Sequence, residues 1–196
     1  MDEELILSTV LIACEEGNLA DLNKLLTIYR FNLNVANRVR YLYFQAFFQL
    51  GETAIHVSAG AGQSEVVRYL HLKGASLETV DRRGDTPLFW AARNGHVHVL
   101  RYLLQEKHDL GYVNFLNKSK ESALHVATRY AQLDAAIMLL EYGADASLED
   151  EQGETALHVA SWHGYGKLLA ALCQYDPNFD AKNQAIFLLA TDLAEF

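Results

Sequence analysis

Gly84-Asp85-Thr86-Pro87-Leu88-Phe89-Trp90-Ala91-Ala92 is one version of a phrase that returns along the chain. An earlier copy reads Gly51-Glu52-Thr53-Ala54-Ile55-His56-Val57-Ser58-Ala59. Later copies read Glu121-Ser122-Ala123-Leu124-His125-Val126-Ala127 and Gly153-Glu154-Thr155-Ala156-Leu157-His158-Val159-Ala160. Thr53 and Thr86 stand 33 residues apart, as do Ser122 and Thr155. A fixed period of this length means that one small structural unit recurs, and that unit decides the fold.

The unit can be read mechanically. The Thr or Ser of each phrase suits a helix N-cap, where its oxygen can accept from a free backbone N–H. Pro87 falls one place later, where a helix tolerates proline. Leu88, Ala91 and Ala92 share one face, and Leu124 with Ala127 and Leu157 with Ala160 repeat it. Gly62, Gly95 and Gly164 then suit a left-handed helix end, with Ala131 as a costlier departure. A second, more apolar helix follows, with Val66, Val67, Tyr69 and Leu70 in one copy and Val99, Leu100, Leu103 and Leu104 in the next. Ala136, Ile137, Leu139 and Leu140 match these, as do Leu168, Leu169 and Leu172. Polar stretches such as Asp81-Arg82-Arg83-Gly84 and Glu149-Asp150-Glu151-Gln152-Gly153 read as turns, or fingers, between units. A weaker first unit contains Ser8-Thr9-Val10-Leu11-Ile12-Ala13-Cys14 and Gly17, then Leu22, Leu25 and Leu26, with Asn32-Leu33-Asn34-Val35 opening its finger. Asp2, Glu3 and Glu4 favour the positive end of a helix there.

Period and phrase together resemble the ankyrin repeat. The resemblance implies an all-α solenoid of about five helix-turn-helix repeats with short finger hairpins or turns. The expected repeats run roughly 8–37, 51–83, 84–120, 121–152 and 153–183, within an array of 1–183. No helix pair can bury its apolar face alone, so stacking builds the core.

Composition narrows the function classes. The 196 residues are 51% apolar and 21% charged, with a formal net charge of −9. An acidic chain repels phosphate backbones, which argues against nucleic acid. Cys14 and Cys173, without a pairing motif, fit a reducing compartment and a cytoplasmic setting. No basic-then-apolar leader opens the chain. The apolar clusters Val39–Leu50 and Ala185–Ala190 fall short of the roughly 20 residues that span a bilayer.

The pattern breaks twice. After Arg38, the apolar and aromatic run Val39-Arg40-Tyr41-Leu42-Tyr43-Phe44-Gln45-Ala46-Phe47-Phe48-Gln49 delays Gly51, an insertion over 39–50. Three readings stay open: an exposed docking loop, including one that meets a membrane; a segment folded back onto the array; or translated intron, since removing it restores the repeat. Near Gln184 the expected phrase gives way to Ala185-Ile186-Phe187-Leu188-Leu189-Ala190 and an atypical tail over 184–196. Terminal repeats carry a polar outer face, so this run is expected either to cap the array or to belong to a longer chain.

Eight histidines invite metal or acid–base readings. His56, His125 and His158 sit inside the phrase, where the resemblance gives them a stacking role. His96 and His98 do not share a helix face. Cys14 and Cys173 occupy core positions, and Asp81 with Asp85 reads as turn and cap chemistry. No catalytic residue, metal, cofactor or small-molecule substrate is expected. The positions that vary while the framework repeats are better candidates. These are Gly60 and Ala61, Arg93 and Asn94, Arg129 and Tyr130, then Trp162 and His163. Stacking would line them along one groove, with Arg82, Arg83, Lys118, Lys120, Glu151 and Gln152 on its rim. Arg, Tyr and Trp dominate interface hot spots. The expected activity is capture of a protein partner, lost in the double variant Arg129→Ala with Trp162→Ala without change in melting temperature. Oligomeric state stays open.

A narrower likeness covers about 81–183. Trp90-Ala91-Ala92-Arg93-Asn94-Gly95-His96-Val97 resembles the ankyrin region of death-associated protein kinases. So do Glu121-Ser122-Ala123-Leu124-His125-Val126-Ala127-Thr128-Arg129-Tyr130 and Glu154-Thr155-Ala156-Leu157-His158-Val159-Ala160-Ser161-Trp162-His163-Gly164-Tyr165. That likeness implies a fragment of a serine/threonine kinase whose ankyrin part directs localisation, cytoskeletal association and partner choice in cell-death signalling. The Gly-rich loop, His-Arg-Asp loop and Asp-Phe-Gly motif of a kinase do not occur in the sequence.

Overall fold

Four helices begin at the same backbone geometry, which the repeated phrase dictates. Thr53, Thr86, Ser122 and Thr155 are all extended N-caps, with ψ between 167° and 170°. The computed structural model describes residues 3–29 and 51–175. Its helices are α1 (Glu3–Glu16), α2 (Leu19–Tyr29), α3 (Ala54–Gly60), α4 (Ser64–Leu72), α5 (Pro87–Asn94) and α6 (Val97–Glu106). They continue as α7 (Leu110–Val113), α8 (Ala123–Arg129), α9 (Leu133–Glu141), α10 (Ala156–Trp162) and α11 (Gly166–Tyr175). No strand occurs among the described residues.

The helices form two layers. α1, α3, α5, α8 and α10 stack in sequence as one layer, and α4, α6, α9 and α11 stack as the other. Each first helix also packs on the second helix of its own repeat. Small residues make the first layer tight: Ala59, Ala91, Ala92, Ala127 and Ala160 are wholly buried. Leucines fill the space between layers, with Leu70, Leu88, Leu100, Leu103, Leu124, Leu139 and Leu172 all within 1% of full burial. Burying each such side chain stabilises the fold by about 1.5–3 kcal/mol. The core is therefore one seam running the length of the stack, as expected for a solenoid.

Several details differ from the sequence reading. Ile137 and Leu157 are half-buried, and Ala135 and Met138 take core places beside Leu139. The interval from Thr86 to Ser122 is 36 residues, and the excess forms α7. Asp109 caps α7 by accepting from the Gly111 N–H at 2.9 Å. The buried Tyr112 hydroxyl donates to the Leu77 carbonyl at 3.1 Å, and Asn114 donates to the Gly143 carbonyl at 3.2 Å. α7 thus clips the third repeat to both neighbours. The finger at Asn32–Val35, the insertion at 39–50 and the tail at 184–196 lie outside the described residues.

The turn between paired helices requires a left-handed residue. Gly95 meets this with φ 72°, whereas Ala131 is forced to φ 56°. Left-handed backbone costs a residue with a Cβ about 1–2 kcal/mol. Ala131→Gly should therefore raise unfolding free energy by about 1 kcal/mol. Gly95→Ala should lower it by more than that, because its methyl would also strike Gln132. Urea denaturation of the two variants measures both signs.

Candidate functional site

The fingers are built alike. Asp81 Oδ1 accepts from the Arg83 and Asp85 N–H groups at 2.8 and 2.9 Å. Asn117 Oδ1 does the same for Ser119 and Glu121, and Asp150 Oδ1 for Gln152 and Glu154, at 2.9 to 3.0 Å. Each short side chain replaces the partners that the bent backbone lacks. Neighbouring fingers are tied by Lys118 N–H to the Arg83 carbonyl and Glu151 N–H to the Ser119 carbonyl, both 3.0 Å. Arg82, Arg83, Lys118, Ser119, Lys120, Glu151 and Gln152 are exposed at the tips.

The phrase histidines join the fingers to the helices. His56 Nδ1 accepts from the Thr53 N–H at 3.1 Å, and His125 Nδ1 from the Ser122 N–H at 3.2 Å. An Nδ1 that accepts carries no proton, so Nε2 is the donor. His56 Nε2 donates to the Asp85 carbonyl and His125 Nε2 to the Glu154 carbonyl, both at 3.0 Å. Each ring therefore caps its own helix and grips the next finger. Burial pushes both imidazoles below the ordinary 6.5, because the charged form loses hydration. Phe89 holds the corresponding place in the third repeat and meets Phe115 edge-on at 6.4 Å.

The residues at the ends of the first helices are not equivalent. The Asp85 side chain is 1% exposed and accepts from Arg83 at 2.7 Å, Arg93 at 2.8 Å and Asn117 at 2.8 Å. The Arg93 guanidinium lies 6.0 Å from the Trp90 ring centroid and 5.5 Å from that of Tyr130. Arg93 is thus seated inside the molecule. Arg129 pairs with Glu121 and stands 3.7 Å from the buried Asp150 carboxylate. Asn94 donates to the Gly60 carbonyl at 2.7 Å. Gly60 itself must lack a Cβ, which would meet Trp90 Cε3 at 2.7 Å. That approach lets Trp90 Nε1 donate to Asp81 Oδ2 at 3.1 Å.

The strip opens toward its C-terminal end. Tyr130 is 50% exposed and Trp162 is 78% exposed. His163 stacks on Tyr165 at 5.3 Å. The anchoring role of Asp85 was missed in the sequence, although a signal existed. An acid directly before the N-cap is followed eight residues later by arginine in Asp85–Arg93 and again in Glu121–Arg129. These pairs also alter the expectation for Arg129→Ala, which would strand two carboxylates and disturb stability as well as any binding. Among the described residues no group of three His, Cys, Asp or Glu side chains is placed to hold a metal. No described helix is long and apolar enough to cross a membrane.

Stacked helix pairs, fingers and cross-repeat histidines are the anatomy of ankyrin repeats. The family model described as "Ankyrin repeats (3 copies)" matches residues 10–114 and 107–183, and the chain belongs to that family. It is similar to alpha-latrotoxin-Lg1a of Latrodectus geometricus, 32% identical over 110 residues, covering 56% of this chain and 8% of the toxin. Synphilin-1 of Mus musculus is 28% identical over 141 residues, covering 69% of this chain and 15% of that protein. The B-cell lymphoma 3 protein homolog of Mus musculus is 34% identical over 111 residues, covering 56% and 24% respectively. The chain therefore spans from 8% to 24% of the length of these relatives.

Two outcomes separate the anchored end of the strip from its open end. Asp85→Ala should cost about 3 kcal/mol, because it strips a seated guanidinium of its partner. Trp162→Ala should stay within about 0.5 kcal/mol of the parent, and urea unfolding compares them. The histidines add a pH dependence. A folded-state value below 6.5 means that the unfolded chain binds more protons, so their stabilising contribution is complete above 6.5 and is lost as pH falls below it. Replacing both rings as the third repeat does, with His56→Phe and His125→Phe, should flatten the acid side of the stability profile.

Proposed function

We propose that the chain is a non-enzymatic interaction module that captures a protein partner along the strip of Arg82, Arg83, Arg93, Asn94, Arg129, Tyr130, Trp162 and His163. The observation that carries this reading is the 78% exposure of Trp162, on a helix whose Ala156 and Ala160 are fully buried. An indole left in water beside an exposed tyrosine is surface that a partner can desolvate. The anchored residues Arg93 and Asn94 shape the groove wall. Arg129, Tyr130, Trp162 and His163 supply most of the contact area, and Arg82 and Arg83 border it.

The likeness of Trp90–Val97, Glu121–Tyr130 and Glu154–Tyr165 to death-associated protein kinases supports a finer reading. In it the module belongs to a longer serine/threonine kinase and acts in the cytoplasm, with cytoskeletal partners, in cell-death signalling. Kinase motifs in the same open reading frame upstream of Met1 would carry that reading, and their absence from full-length transcripts would remove it.

The groove reading is tested with Tyr130→Ala combined with Trp162→Ala, which spares the Arg129 ion pairs. A partner recovered with the parent chain should bind the double variant at least about tenfold more weakly, a difference of 1.4 kcal/mol. Circular dichroism and melting temperature should stay close to the parent. Equal affinity in calorimetry would refute the assignment.

A further inference from the structure

The chain shows what a guanidinium seat looks like in its own framework. In the third repeat, Asp85 precedes the N-cap and Arg93 follows eight residues later, with NH2 2.8 Å from the carboxylate and two aromatic rings close by. In the fourth, Glu121 and Arg129 repeat the arrangement at the same register. In the fifth, Glu154 holds the acidic place, but Trp162 stands where the arginine would be. The Glu154 backbone is fully used: its N–H meets Asp150 and its carbonyl meets His125. Its half-buried carboxylate pairs with no cation among the described residues. Trp162 is exposed at the far end of the helix that Glu154 precedes.

The surrounding charge points the same way. Between Arg129 and Lys167 the chain carries seven carboxylates, Asp134, Glu141, Asp145, Glu149, Asp150, Glu151 and Glu154, and no lysine or arginine. Of these, Glu149, Glu151 and Glu154 belong to the finger before α10, and α10 carries the exposed indole of Trp162, so acid and aromatic surface belong to one repeat. A guanidinium matches both features at once, since it pairs with a carboxylate in its plane and stacks on an indole through its face. An ammonium can satisfy the charge but not the planar stack.

We propose that the fifth repeat is an arginine-reading subsite, in which a partner's arginine pairs with Glu154 and lies on Trp162, completing in trans the seat that Arg93 and Arg129 complete in cis. This rests on the groove reading and names the chemistry of its partner: an extended peptide segment with an arginine at one fixed position.

The probe is a phage-displayed library of random linear peptides, selected against the full chain. Arginine should dominate one position of the selected sequences. Replacing it by glutamine in the best peptide should weaken binding at least about tenfold, or 1.4 kcal/mol. Glu154→Gln, which keeps the backbone hydrogen bonds, should weaken the arginine peptide equally and leave the glutamine peptide unchanged. Trp162→Arg places a guanidinium in cis and should erase the arginine preference in a chain that still folds by circular dichroism. Selected peptides without an arginine preference, or a preference indifferent to Glu154→Gln, would overturn the subsite while leaving the groove in place. Failure to select any peptide sensitive to Tyr130→Ala with Trp162→Ala would overturn the groove reading and the subsite together.

Discussion

Side-chain donors that reach carbonyl oxygens of the neighbouring repeat hold this stack in register. Apolar packing between alanine-rich helices is non-directional, and by itself it would let one helix pair slide on the next. A hydrogen bond to a buried carbonyl removes that freedom, because slippage leaves the group unpaired at a cost of about 1–3 kcal/mol. On the helix-turn side, Gln63 donates to the Glu15 carbonyl, His96 to that of Gly60 and Gln132 to that of Arg93. On the finger side, His56 and His125 reach Asp85 and Glu154. The two rows lie at opposite ends of the first helices and fix both their height and their tilt. Phe89 interrupts the finger row, and there the Asn117 amide donates to Asp85 and links the two fingers instead.

That register places buried acids one above another. Asp81, Asp85 and Asp150 are each at most 4% exposed, and a carboxylate so placed needs charge or hydrogen-bond partners to offset lost hydration. Trp90 serves Asp81, Arg93 serves Asp85, and Arg129 serves Glu121 and Asp150. The residues that look most like partner-binding groups by type are thus partly spent on the fold. An arginine held 17% exposed between two rings has little surface left to offer. An exposed tryptophan is available surface.

Much of this was legible in the sequence, and the limits have physical causes. The N-cap positions, left-handed turns and layered core followed from local rules of the phrase, although Thr86 makes no side-chain cap hydrogen bond. The cost at Ala131 was legible because a positive φ is a property of position. α7 was not, because Leu110–Val113 carries too few residues to show a helical period, and its role depends on carbonyls of other repeats. The start of α1 at Glu3 was legible as well, because Glu3 and Glu4 suit the positive end of a helix. The positions that vary at the ends of the first helices could be read from one chain, because the framework around them repeats. Their division into seated and open side chains was not found by inspecting the variants alone. It depends on the acid eight residues upstream, a spacing that becomes meaningful only when the finger folds back over the helix end.

The same register explains why one exchange changes the character of the strip. In repeats three and four the residue eight after the acid is arginine, long enough to turn back and neutralise it. In repeat five it is tryptophan, which carries no charge and cannot answer Glu154. An acid sealed in the interior without a cation would be costly, but Glu154 is only half-buried, keeps part of its hydration and pairs with no cation among the described residues. The stack thus passes from sealed ion pairs at its middle to an unsealed one at its described C-terminal end, without any change of backbone. On the proposed reading, a partner segment laid along that surface would meet side chains already spent on the fold at Arg93 and Arg129, and groups still open to pairing at Glu154 and Trp162.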